Sequence, residues 1–408
     1  MNDSPRSIDP LKKLNAWEGV KLIKSIKVRL TPNKKQQTKL FQYANTARFA
    51  YNWAIAREQE NYKSGGKFIS DNDLRKEFTQ LKKIDGFQWL KNISCDVPKQ
   101  AIKDACNTYK RFFKGQCRHP KFKSKRKSVP SFYQDNFKIQ FTENHVFLSG
   151  IGMIKLAERN RCPIGKGKYK DISVLNPRIT FDGLHWSISA GLTYEDSIFT
   201  PSNDGVGVDL GIKDLAICSD MTIYKNINKT QKVKKIEKRK RRLQRSISRK
   251  YENNKEKGKY CKTSNIIKSE KELLKLNHRL TNIRQNYLHQ ITSEIIKRES
   301  SFICIEDLNV SGMMKNRHLS KAVQQQGFYE FRRQIEYKSE WNNIPLVIAD
   351  RWFPSSKLCS CCGNIKKDLK LSDRIYKCEC GNEIDRDYQA ALNLMQYGEK
   401  VLREQSVS

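Results

Sequence analysis

Apolar residues change period several times along this chain, and each change predicts a different kind of structure. KLIKSIKVRL (21–30) sets apolar and β-branched residues between lysines, the alternation of a strand with one wet face, and TPNKKQQ after it supplies a helix start. From about Thr38 to Phe113 the spacing becomes three and four, through Leu40, Ala44, Ala47, Tyr51 and Ile55, then Leu74, Phe78 and Leu81, then Ile102, Ala105, Tyr109 and Phe112. A small helical lobe is expected there. After Pro120 short alternating runs take over, among them FKIQF, HVFLSG, GMIKLA, RITFDG and LHWSISAGLTY, divided by Gly, Asn and Asp turn signals. They predict a β-rich unit, a barrel completed by the amino-terminal strand.

From Gly205 the text GVGVDLGIKDLAICSDMTIYK reads strand, turn, strand, turn, strand, the opening of a mixed α/β domain. A long polar helical region follows to about Ser300. Within it Leu243 and Ile247, then Leu273, Leu276, Leu280, Ile283, Leu288, Ile291 and Ile295, have the spacing of two helices joined near YENNKEKGKYC, hence an antiparallel hairpin. SFICIED (301–307) and PLVIAD (345–350) are short enough to be buried strands, with a helix rich in Phe, Arg and Gln between them. A cysteine-rich insert and a helix from about Asp385 to Leu402 complete the pattern, which contains no repeat at solenoid period.

Length adds that 408 residues are enough for two to four structural units, each with a core. Charge adds a partner. The 79 Lys and Arg against 43 Asp and Glu leave +36, distributed along the chain and far beyond what solubility requires, so the natural partner is a polyanion. In QKVKKIEKRKRRLQRSISRK (231–250) 11 of 20 residues are cations, a run that cannot pack on itself, though a charged hairpin can also serve as a solvated spacer. PKFKSKRKSVPSFYQDN (120–136) interleaves its cations with Phe122, Phe132 and Tyr133 and suits contact with phosphate or base, a solvated loop being the alternative. No apolar run reaches the roughly 18 to 20 residues of a membrane span, and the first twenty residues lack a signal peptide's apolar stretch, so a prokaryotic cytoplasmic or nucleoid location without membrane contact is expected.

Two groups of residues carry candidate chemistry. Asp209 follows the strand VGV, Glu306 ends the run FICI, and Asp387 lies in the first turn of the last helix, within DRDYQAALNL. Hydrolysis of a phosphodiester needs hard oxygen ligands for two divalent cations roughly 3.5 to 4 Å apart, and three carboxylates from distant segments meet that need. Asp214, Asp307, Asp350 and Asp385 compete for the same roles on spacing alone. The second group is CSCCG (359–363) with CECG (378–381). Of twelve cysteines five crowd into positions 359–380, close to the two-knuckle spacing of a zinc ribbon in a reducing compartment. We choose Cys359, Cys362, Cys378 and Cys380 as ligands of one structural Zn²⁺, with Cys361 as the substitute.

Taken in order, GVDLGIKDLAI, IEDLNVSGMMKNRHLSKA, WFPSSKLCSCCG, CECG and DRDYQAALNL resemble the TnpB family of transposon-encoded RNA-guided DNA endonucleases, relatives of the compact type V CRISPR effectors. The likeness runs from about Lys27, where KVRLTPNKKQQ is similar to the family's opening strand, to about Gln396. It implies a multidomain α/β and β fold: a RuvC (RNase H-like) nuclease domain with a zinc-ribbon insert, plus a β-barrel wedge domain with an inserted helical recognition lobe. The implied boundaries are 1–45 for an amino-terminal extension and the first part of the wedge, 46–120 for the recognition lobe and 121–203 for the second part of the wedge. Then come 204–350 for the nuclease domain with its basic hairpin, 351–382 for the ribbon and 383–408 for the last part of the nuclease.

Among the acids the resemblance selects Asp209, Glu306 and Asp387 to hold two Mg²⁺, and makes Asp385 a supporting residue. The chain departs from the family in having Gln389 where Asn is usual, and in twenty residues before Lys21 with no evident role. The implied partners are a guide RNA, with one protein copy expected per RNA and the oligomeric state open, and double-stranded target DNA cut beside a short motif. In the family that motif is read near the junction of lobe and wedge, here Ser70–Lys76 and Lys121–Lys125, where Asp71 and Arg75 are expected at base edges and Lys76, Lys121, Lys123 and Lys125 at phosphate. Lys238, Arg239 and Arg242 are the expected RNA contacts of the basic helix. The alternatives are a CRISPR-associated miniature effector, a silent RNA-guided repressor, which the intact acids disfavour, and an end-joining transposase.

Overall fold

The computed structural model describes residues 22–158, 173–194, 204–256, 258–370 and 373–407. The amino-terminal extension and parts of the expected second wedge segment, 159–172 and 195–203, lie outside the described residues. Two units divide the rest, one up to residue 194 and one from 204 onward.

In the first unit β1 (Leu22–Thr31) lies inside a sheet with β2 (Ser131–Tyr133), β3 (Ile139–Phe141), β4 (His145–Leu148), β5 (Gly152–Leu156), β6 (Val174–Phe181) and β7 (Trp186–Tyr194). The seven strands run in the order β2-β6-β7-β1-β5-β4-β3 and every pairing is antiparallel. Among the described residues this is an open sheet with β2 and β3 at its two edges, where the sequence led us to expect a barrel; β1 does join it, as expected. Val28 and Leu30 of β1 point into the core while Lys27 and Arg29 face water, the alternation that the sequence predicts.

Helix α1 (Lys34–Lys63) starts at Asn33, which forms a capping box with Gln36. The predicted stripe Leu40, Ala44, Ala47, Tyr51 and Ile55 is buried. Because the stripe continues without a break, the domain boundary expected at 45/46 falls inside a single helix. Helices α2 (Asp71–Leu81) and α3 (Asp96–Phe113) complete the lobe, and their Leu74, Phe78, Ile102, Ala105 and Tyr109 join one core with the sheet.

The second unit is built on five strands: β8 (Val206–Leu210), β9 (Asp214–Cys218), β10 (Ile223–Lys225), β13 (Ile303–Glu306) and β14 (Leu346–Ala349). Their order is β10-β9-β8-β13-β14, antiparallel up to β8 and parallel from β8 to β14. Tight turns suffice for the antiparallel half, whereas parallel strands need crossovers. The first crossover is the basic hairpin of α4 (Gln231–Asn253) and α5 (Ser264–Ile296), tipped by β11 (Lys255–Glu256) and β12 (Lys259–Tyr260). Val233 and Ile236 pack with Leu276 and Leu280 along it, as the sparse apolar stripe predicts. The second comprises α6 (Val310–Met313), α7 (Ser320–Gln326) and α8 (Phe328–Trp341).

Parity divides the sheet into two faces. Val206, Val208, Leu210, Ile303 and Ile305 pack with Leu288, Ile291 and Ile295 of α5 and with Phe328, Phe331 and Ile335 of α8. Cys304, Val347 and Ala349 pack with Leu394 of α9 (Arg386–Val407). Before α9 come the cysteine-rich segment and the hairpin of β15 (Ile375–Lys377) and β16 (Glu383–Asp385). No helix among the described residues is long and apolar enough to cross a membrane.

Candidate functional site

Gly207 brings the three acids toward one another. A Cβ at 207 would collide with the backbone oxygen of Ala391 and the backbone nitrogen of Met395, so α9 lies directly on β8 at this position. Asp209 is two residues along and shares this face, and Asp387 is one helical turn before Ala391. The parallel register Ile305↔Val208 then sets Glu306 beside Asp209, on the face of Cys304. Two adjacent strand ends and one helix start thus present the predicted carboxylates together.

Their electrostatics are those of crowded acids. Desolvation pushes the carboxyl of Asp209 well above the ordinary range, and the charges of Glu306 and then Asp387 push it the same way, against the pull of Arg386. Burial also raises Glu306, opposed by a hydrogen bond from the Ser355 hydroxyl to its Oε1. Asp387 is approached by Arg386 at 3.1 Å and Arg374 at 3.8 Å. The three carboxylates do not form a group whose donor atoms all lie within 4.8 Å of one another. Two cations 3.5 to 4 Å apart do not require one, and hard carboxylate oxygens converging on one face suit divalent cations.

The competing acids have other duties. Asp307 bonds Arg332 and Arg351, each at 2.5 Å; burial raises its carboxyl, but the two guanidiniums prevail and hold it low. Asp214 stands 3.5 Å from Lys225, and Asp350 accepts the backbone N–H of Trp352 at 2.8 Å, closing a turn. Asp385, expected as a supporting residue, caps α9 by accepting the N–H groups of Asp387 and Tyr388 at 2.9 and 3.1 Å.

Cys359, Cys362, Cys378 and Cys380 have all four sulfurs within 4.8 Å of one another, with Cys359–Cys380 and Cys362–Cys378 each at 3.6 Å. Zn–S bonds of about 2.3 Å in a tetrahedron place sulfurs about 3.8 Å apart, so the set fits zinc. Cys361 is exposed and outside the group. Burial opposes ionisation of Cys359, but N–H groups of Cys362 and Cys361 and the Asn382 amide outweigh it and bring the thiol down to about 6.

Three side chains that the sequence reading assigned to neither centre join the two: Ser355, Gln389 and Asn393. The amides of Gln389 and Asn393 are fully buried on α9 and bond the loop that leads to Cys359. Gln389, where the family usually has Asn, is thus occupied with the cysteine segment. A clue was available in the spacing, since 389 and 393 are four apart within the stripe of Ala390, Ala391 and Leu394.

Of the expected nucleic-acid contacts, Asp71 and Arg75 are bonded to each other and half-buried. Lys76 is exposed and 3.1 Å from Asp73. Lys123 is pinned through its backbone to Asn52 by bonds of 2.8 and 2.9 Å and sets its ammonium 3.8 Å from the centre of the Tyr51 ring, while Lys121 and Lys125 are exposed. Lys238 and Arg242 face solvent on α4, and Arg239 bonds Glu272 at 2.8 Å.

Three family descriptions match the chain: "Helix-turn-helix domain" of the OrfB type at residues 22–67, "Probable transposase" at 194–317 and "Cas12f1-like, TNB domain" at 328–394. The mixed α/β arrangement has a counterpart in the solved Cas12f1–sgRNA–target DNA complex, with a TM-score of 0.60 over 92% of this chain and 99% of that one. At 12% identity this is a likeness of fold. InsQ of Escherichia coli K12, whose name proposes an RNA-guided DNA endonuclease, is 29% identical over 402 residues, 94% of either chain. A protein of Streptomyces pristinaespiralis named in the same way is 28% identical over 92% of this chain and 89% of its own. Similarity to proteins named as RNA-guided DNA endonucleases therefore extends over nearly the whole chain.

Proposed function

We propose that this chain is an RNA-guided DNA endonuclease that cuts its target beside a short adjacent motif, with a RuvC-like site made of Asp209, Glu306 and Asp387. The observation that carries this reading is the shared face on which β8, β13 and α9 present those acids, in a chain with near full-length relatives bearing that name. Bound Mg²⁺ would supply the Lewis acidity and activated water for phosphodiester hydrolysis. The protein's own part is to hold the cations through the three carboxylates and to keep α9 seated on β8.

Four thiolates leave no open position, so the Zn²⁺ assigned to Cys359, Cys362, Cys378 and Cys380 is structural. The first unit serves as wedge and recognition lobe, with the adjacent motif read around Asp71, Arg75, Lys76, Lys121, Lys123 and Lys125. The α4–α5 hairpin, through Lys238, Arg239 and Arg242, holds RNA by charge, while guide pairing supplies sequence specificity. The test is to sequence the RNA that copurifies with the protein and offer the complex a matched duplex with Mg²⁺. Cleavage abolished by a chelator is expected. A complex that binds its target and never cuts would make the protein a repressor instead.

A further inference from the structure

Glutamate at the end of a strand has three rotatable bonds, and binding a cation requires that one arrangement be selected. In this molecule the selecting group comes from the loop between β14 and the cysteine segment. The Ser355 hydroxyl donates to Glu306 Oε1, and Ser355 is 5% exposed. We propose that Ser355 is a positioning residue for Glu306, held by Asn393 and linked through Gln389 and Asn382 to the cysteine centre, so that the ribbon sets the orientation of a metal-binding carboxylate. This rests on the reading of Glu306 given above.

The linkage is continuous. Asn393 Nδ2 donates to the carbonyls of Ser355 at 2.6 Å and Leu358 at 2.7 Å. Gln389 Nε2 donates to the same Leu358 carbonyl at 2.7 Å, and its Oε1 accepts from Ser360 Oγ at 3.0 Å and Asn382 Nδ2 at 3.3 Å. Asn382 Nδ2 also donates to Cys359 Sγ at 3.5 Å. The serine's N–H bonds Phe353, whose ring packs on Tyr397 of α9 at 4.7 Å. Gln389 and Asn393 are 0% exposed, and a buried amide costs free energy unless its bonds are made; all of theirs are made except at Asn393 Oδ1. Leucine would fill such a helix stripe without that cost. The amides are explained by what they hold, which is the path from Cys359 to Ser355.

The test compares full-length Ser355→Ala, Ser355→Thr, Asn382→Ala and Glu306→Ala proteins with the unaltered one, as guide complexes. Ser355→Ala should bind matched DNA normally but need about 10- to 100-fold more Mg²⁺ for half-maximal cleavage, the scale on which residues supporting a metal ligand act. Ser355→Thr, which keeps the hydroxyl, should restore the requirement. Without RNA, the rise in unfolding temperature on adding Mg²⁺ should shrink in Ser355→Ala while the metal-free value stays put. A lowered metal-free value with lost DNA binding would make Ser355 a folding residue and overturn the proposal. Asn382→Ala should shift the Mg²⁺ requirement less, in the same direction, with zinc retained; no shift would sever the ribbon from the path. If Glu306→Ala still cuts, the assignment of the acids has failed. If it is inactive while Ser355→Ala keeps the normal Mg²⁺ requirement, the serine's role has failed.

Discussion

Four sulfurs of the 359–380 segment meet within 4.8 Å through turns a few residues long, whereas the three carboxylates reach their common face from β8, β13 and α9, elements spread across the whole second unit. The first arrangement is local and needs little beyond two knuckles and a hairpin. The second exists only when a parallel strand pair has formed and a helix has been laid across it, because Asp209 and Glu306 meet through sheet register and Asp387 joins them through the close approach at Gly207. The difference is also electrostatic. Local N–H groups and an amide favour the charged form of Cys359, while burial and neighbouring acids disfavour the charged form of Asp209. Hydrogen bonds favour charge at Cys359 in one group, and packing holds the acids of the other together against repulsion at Asp209.

That contrast can be broken from either side. The largest effect should come from Asp209→Ala, which removes an oxygen ligand at the centre of the face: cleavage with Mg²⁺ should fall below detection while guided DNA binding persists, as gel shifts and product assays on one preparation will read. Cleavage at an undiminished rate would remove the triad. Next, Cys378→Ser should lower zinc from about one per chain toward none and weaken cleavage along with the stability of the ribbon. A protein that keeps its metal and activity would show that the four-thiol set is misassigned.

Gly207→Ala adds a single methyl group and touches neither centre, yet it should cost about 1–3 kcal/mol of stability by forcing α9 off β8. Denaturant melts will measure it, and activity should fall with it because Asp387 rides on that helix. An unchanged melt would mean that the helix contact is not what brings the acids together. The smallest effect, none, is expected for Cys361→Ser in zinc content and cleavage, since this exposed thiol lies outside the cluster.

How much was legible beforehand follows the same local and non-local division. The cysteine cluster could be read from its spacing, and the four thiols chosen among five are the ones that lie together. The basic hairpin was legible because charge does not mask a stripe such as Leu276, Leu280 and Leu288. Carboxylates at strand ends looked alike, and family resemblance had to choose; the structure adds that Asp209, Glu306 and Asp387 share the face where β8, β13 and α9 meet. Ser355 and Asn393 carry no such signal, and Gln389 stands out only as a departure from the family's Asn. A serine in WFPSSKL reads as a turn residue, and a buried amide on a helix is indistinguishable in sequence from one facing water. The boundary expected at 45/46 falls inside α1, whose start TPNKKQQ marks and Asn33 and Gln36 cap.

The placement of Asp387 on α9 has a consequence in time. During synthesis β8, the basic hairpin and β13 all leave the ribosome before the helix that covers Gly207 exists, and no arrangement of those earlier pieces contains the third carboxylate. Any product of translation that stops short of Arg386 therefore carries the cationic surfaces without Asp387, the third of the three acids. On the proposed assignment of the acids, the capacity to cut DNA arrives only near the end of the chain's making.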